Sequence, residues 1–195
     1  MLAPGFADPV HDAQAAFRAV MDALSRPGRI RPLDAGLTPP APLTPELAAV
    51  ALALTDADTP VWLDAALADA PEVAAYLRFH TGAPLTDDPA RAAFALVREP
   101  ARCPALGRFA PGTPAYPDTS TTLILALDAI TSGAGLRLTG PGIAGSARMA
   151  LTPLPAGFVG QLAENRADFP LGVDLILTAP GQIAGLPRST VVTEA

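Results

Sequence analysis

The run Val173-Asp174-Leu175-Ile176-Leu177-Thr178 is apolar on both faces of an extended chain apart from Asp174. That pattern predicts a central strand covered on both sides, because a strand with one wet face alternates apolar and polar residues. The chain must therefore supply two covering layers. Val10, Ala13, Phe17, Val20, Met21 and Leu24 recur at helical spacing after Asp8-Pro9, an N-cap followed by a first-turn proline, and Ser25-Arg26-Pro27-Gly28 closes that helix. Thr44-Pro45-Glu46 opens a second helix to about Leu54, Asp69-Ala70-Pro71-Glu72 opens a third that ends near His80, and Phe158 to Arg166 reads as a further one. Short β-type runs lie at Val61 to Leu63, Ala93 to Val97, Leu123 to Leu127 and Leu136 to Thr139. Ile183 to Leu186 and Ser189 to Thr193 are expected to close the sheet, with Pro187 confined to an edge or a bend. Helices first, then strands and helices interleaved, predicts an α/β fold: one three-layer α/β/α domain over residues 1–195 with a mixed sheet. A chain of 195 residues is long enough for that core, burying roughly 70% of its unfolded surface without a metal or disulfide staple.

All 13 basic residues are arginines, and the absence of lysine removes several chemistries. A pyridoxal phosphate aldimine needs a lysine, and so does a phosphate-gripping Walker loop. The net charge of -6, with no long basic stripe, opposes binding along a nucleic-acid backbone. No apolar run approaches the roughly 20 residues of a membrane helix, and the segment Met1 to Asp8 lacks the charge and apolar pattern of a secretion signal. The single Cys103 cannot form an internal disulfide, which suits a reducing interior, so the expected location is the cytoplasm. With only His11 and His80, no three-histidine metal site can be built, and none is expected.

Candidate residues are few. Arg26, Arg29 and Arg31 surround a Pro-Gly turn, where guanidinium forks can grip phosphate oxygens or simply complement the end of the first helix. Gly140-Pro141-Gly142, flanked by Arg137 and Arg148, can bring backbone amides to an anion or serve as a plain turn. Asp174 needs a partner or a strand-end position, and an ion pair with Arg137 or Arg188 reads as structural before catalytic. Arg188 itself can meet an anion or a neighbouring subunit. Asp118, Ser120, Thr121 and Thr122 look like turn and cap chemistry, because no nucleophile elbow surrounds Ser120 or Ser146. Trp62 reads as core, or as an interface anchor if exposed.

Several segments together resemble one family. They are Phe17 to Gly28, Asp58 to Leu63, Leu77 to Pro84, Arg137 to Ile143, Asp168 to Thr178 and Leu186 to Thr190, so the likeness runs along nearly the whole chain, with departures at Leu37 to Pro45 and Ala101 to Pro114. The family is PhnH, a core subunit of the bacterial carbon-phosphorus lyase machinery. The resemblance implies the fold of the pyridoxal-phosphate-dependent transferases without the cofactor. It also implies a role, with other core subunits, in forming alpha-D-ribose 1-methylphosphonate 5-triphosphate from ATP and methylphosphonate. Such a chain is expected to be inactive alone, to join other carbon-phosphorus lyase subunits, and to form a homodimer in isolation. A stand-alone phosphate- or nucleotide-binding enzyme and a non-catalytic assembly scaffold are the alternatives.

Overall fold

A computed structural model describes residues 2–194; Met1, which opens the segment read for a secretion signal, and Ala195 lie outside the described residues. Helix α1 (Pro9–Ser25) starts where Asp8 caps the amides of Val10 and His11, and α2 (Pro45–Leu54) starts where the Thr44 hydroxyl accepts from Leu47 N. Both begin with proline, which has no amide to leave unpaired. Strand β1 (Arg31–Pro32) lies between them, and β2 (Val61–Leu63), α3 (Ala65–Ala68), α4 (Pro71–Thr81), β3 (Leu85–Thr86) and β4 (Phe94–Val97) follow. The second half holds β5 (Thr122–Ala126), β6 (Ala129–Thr139), β7 (Ala147–Thr152), α5 (Phe158–Ala167), β8 (Asp174–Ala179), β9 (Gln182–Leu186) and β10 (Val191–Thr193). No helix among the described residues is long and apolar enough to cross a membrane.

Seven strands form one mixed sheet in the order β1-β9-β8-β5-β4-β2-β3. Strands β3, β2, β4, β5 and β8 are parallel, while β9 and β1 run antiparallel. The apolar run at β8 is central, in register with β5 from Thr122 opposite Asp174 to Ala126 opposite Thr178. Its side chains alternate between two cores. Ile176, Ile124 and Leu96 join a core with α1, α2 and α4, whereas Leu175, Leu177, Leu123, Leu125 and Val97 join a core on the other face. The two-sided covering predicted for this strand is thus observed.

Two features of the predicted layers need correction. The second face is covered by α5 together with a three-stranded antiparallel sheet, β10-β6-β7, rather than by a layer of helices alone. The runs at Leu136 and Val191 belong to that second sheet, where Val192 pairs with Leu138, so the carboxyl terminus does not extend the main sheet. Pro187 stands in the bend between β9 and β10, whose turn is closed by Thr190 N donating to Pro187 O.

The face of α1 also differs from expectation. Its buried residues are Ala16, Val20 and Ala23, while Val10, Phe17 and Met21 are 61%, 46% and 51% exposed. The cause is close packing. A Cβ on Gly185 of β9 would stand 2.7 Å from Ala23 O, so helix and strand backbones nearly touch and only small side chains fit between them. At the third predicted helix, Asp69 ends the short α3 instead of starting α4, and Ala70 takes the N-cap position without a side-chain bond.

Candidate functional site

Asp174 stands at the first position of β8 and pairs with Arg188, not with Arg137. The side chains are 12% and 23% exposed for arginine and aspartate respectively, and the contact is two-pronged: Arg188 Nε lies 3.1 and 3.2 Å from the two carboxylate oxygens and Nη2 lies 2.5 Å from Oδ2. Arg188 N donates to the same carboxylate at 2.8 Å. Nη1 donates to Pro117 O at 2.8 Å and Pro170 O at 3.3 Å, and Nη2 also donates to the Ser120 hydroxyl. An arginine has five N–H donors, and here each has an acceptor. Arg188 is therefore a brace joining β8, the bend after β9, the short helix Pro117–Thr119 and the turn before β8, with no donor left for a ligand.

The arginine turn at the end of α1 is partly engaged. Asp22 accepts from Arg26 Nη1 at 2.6 Å, and its other oxygen lies against Arg31 Nε without hydrogen-bond alignment. Arg29 is exposed and makes no ion pair among the described residues. Beside this turn sits Gly140-Pro141-Gly142. A Cβ on Gly142, where φ is +79°, would fall 2.3 Å from Ser25 O; one on Gly140 would fall 3.0 Å from Ser189 O. The close approach that glycine permits is made here to the protein's own backbone. Gly28 likewise abuts Ala147 of β7. The structure thus brings together three stretches that are far apart in sequence: the arginine turn, the glycine turn and Ser189-Thr190. Arg137 and Arg148 lie on the same hairpin, directly opposite each other and exposed.

Sequence reasoning missed Asp64, which has no place in any of the motifs above. It is 6% exposed at the carboxyl end of β2, caps α3 through Leu67 N at 3.1 Å, and accepts from Arg98 N and Glu99 N at 2.8 Å each. Burial pushes its carboxyl above the ordinary value of 3.8, outweighing the three amide bonds, with the Glu99 charge adding to the rise. The signal available was Leu63-Asp64 at the join of a strand and a helix, an N-cap position. Strand β2 is flanked by β3 on one side and β4 on the other, the kind of switch point where open α/β sheets hold ligands. In this chain the Asp64 carboxylate occupies the amides there.

The remaining candidates are engaged structurally. Thr121 donates to Ala92 O at 2.6 Å and accepts from Ala110 N, and Trp62 is half-buried edge-to-face with Phe109. His11 Nδ1 lies 2.7 Å from the Asp8 carboxylate, and His80 Nε2 lies 3.0 Å from Ala3 O between the rings of Tyr76 and Phe79. Burial, then the Asp64 charge, pushes the Cys103 thiol up to about 12, so it is a poor nucleophile near neutral pH. Among the described residues no group of three or more His, Cys, Asp or Glu could hold a metal. A crevice of about 190 Å³ at the carboxyl ends of β4, β5 and β8 is lined by Arg98, Asp128, Thr178 and the start of α2. A second cavity, about 280 Å³, lies between Phe109 and α5 and holds Glu164 and Asp168.

Comparison with known proteins adds what this geometry lacks. The family model described as bacterial phosphonate metabolism protein (PhnH) matches residues 4–193. The chain is 46% identical over 187 residues to the alpha-D-ribose 1-methylphosphonate 5-triphosphate synthase subunit PhnH of Rhizobium meliloti (strain 1021), covering 95% of this chain and 92% of that one. It is 39% identical over 74 residues, 38% of each chain, to a protein of Stutzerimonas stutzeri provisionally named C-P lyase subunit protein HtxG.

Proposed function

The chain belongs to the PhnH family of bacterial phosphonate metabolism proteins, and from that premise we propose that it is a subunit of the carbon-phosphorus lyase core complex, needed there to form alpha-D-ribose 1-methylphosphonate 5-triphosphate. The observation that carries this reading is the match to the Rhizobium meliloti synthase subunit along 95% of the chain. In the reaction so assigned, the bond between adenine and ribose C1 of ATP breaks and a methylphosphonate oxygen bonds to that carbon, the departing adenine taking up a proton.

The geometry supports an accessory part in that transfer. Arg188 is saturated, burial holds the Cys103 thiol in its protonated form near neutral pH, and among the described residues the imidazoles hydrogen-bond only to the Asp8 carboxylate and the Ala3 carbonyl. The isolated chain is accordingly proposed to be inactive. It acts as a transferase subunit in the cytoplasm, with the other carbon-phosphorus lyase core subunits as partners. The reading includes the resemblance to the pyridoxal-phosphate-dependent transferase fold, used here without the cofactor because no lysine exists to form the aldimine. A homodimer in isolation is part of the proposal, supported by the exposed Val10, Phe17 and Met21 on α1, which water solvates poorly. The test is purification of the tagged chain from its own cells grown on methylphosphonate as the phosphorus source. Co-elution with the other core subunits is expected. A chain that elutes alone and converts ATP and methylphosphonate by itself is instead the stand-alone enzyme.

A further inference from the structure

We propose that the outer face of the three-stranded sheet, centred on Arg137 and Arg148, docks an acidic segment of another polypeptide in the assembly. Arg137 of β6 lies directly opposite Arg148 of β7, and on its other side it faces Thr193 of β10. Residues opposed in this way stand about 5 Å apart at Cβ, where like charges repel. The neighbours Leu138 and Met149 turn into the core, so strand alternation directs both guanidinium groups outward. Neither arginine makes an ion pair among the described residues. The same-face positions two residues along the strands are Thr139, Ser146, Ala150 and Val191, none of them acidic. The chain has 19 acidic residues against 13 basic ones, yet among the described residues none forms an ion pair with either arginine.

The open surface selects the kind of partner. Both arginines are exposed on a strand face, where a small anion competes with water and salt. A polypeptide that covers the face excludes water and lets each guanidinium fork meet a carboxylate. Val191, 41% exposed beside them, adds an apolar contact.

This inference rests on the subunit reading, and its test separates the two. The parent chain, Arg148→Glu and Arg148→Ala are each titrated with the purified complex of the other core subunits, and their melting temperatures are measured. Arg148→Glu turns repulsion across β6 and β7 into attraction, so it is expected to melt no lower than the parent while binding about tenfold or more weakly. The parent's affinity should fall with added salt far more steeply than that of the variant. Unchanged affinity and salt dependence in both variants overturns the docking surface and leaves the subunit reading standing. A parent chain that does not bind the other subunits overturns both. Inorganic triphosphate that raises the melting temperature of the parent but not of Arg148→Glu assigns the pair to a small anion, and also overturns the proposal.

Discussion

Arg188 gathers contacts from four parts of the carboxyl-terminal half, which makes its replacement a sharp test of structural against interfacial roles. Arg188→Ala strands a half-buried carboxylate together with the Pro117 and Pro170 carbonyls and the Ser120 hydroxyl. The expected loss is about 2 to 4 kcal/mol, or a melting temperature lower by roughly 5 to 15 °C. Lysine should restore little, since an ammonium cannot reproduce the fork. An Arg188→Ala chain that melts like its parent but fails to assemble would move this residue to a partner surface. Asp64 supplies a pH dependence of known sign. Its carboxyl is raised above 3.8 by burial, so the folded state holds the proton more tightly than the unfolded one. The stability this gives is full below the ordinary value and is lost as pH rises through the folded value. In urea unfolding from about pH 3.5 to about 7, the stability of the parent relative to Asp64→Asn should therefore shrink as pH rises. A difference that grows with pH would mean that the amides of Leu67, Arg98 and Glu99 outweigh desolvation.

Among the elements, α1 carries the most informative surface. If its outward residues join two copies, Phe17→Asp should convert the isolated chain from dimer to monomer in sedimentation with an unchanged circular dichroism spectrum; a variant that remains dimeric places that contact elsewhere. The same helix shows what was legible in the sequence. Asp8-Pro9 and Thr44-Pro45 marked two helix starts because capping is local chemistry, readable from adjacent residues. The buried face of α1 was not readable, because Gly185, more than 150 residues away, decides which side chains fit beneath it. Strand β7 was missed although Ala147, Met149 and Leu151 alternate inward against the outward Arg148 and Thr152; the glycine turns on its flank mask a short period-two signal. At the site, the need of Asp174 for a partner followed from its apolar strand, but choosing Arg188 over Arg137 required knowing that the chain bends back at Pro187.

At the scale of the whole molecule, an end-to-end family match coincides with a fold in which the site candidates are largely engaged with the protein's own groups. The amides at the switch point are held by Asp64, the glycine turn packs on α1, and the best-placed arginine is saturated. Together with the match to the synthase subunit along 95% of the chain, this leads us to propose that the protein completes an assembly rather than performs the transfer alone. The most direct measurement is reconstitution from purified subunits with ATP and methylphosphonate, following adenine release. No release is expected from this chain alone, little from the other core subunits without it, and full release when it is added back. Conversion by the isolated chain, or an undiminished rate in its absence, would contradict the claim that this protein is a required but not self-sufficient subunit.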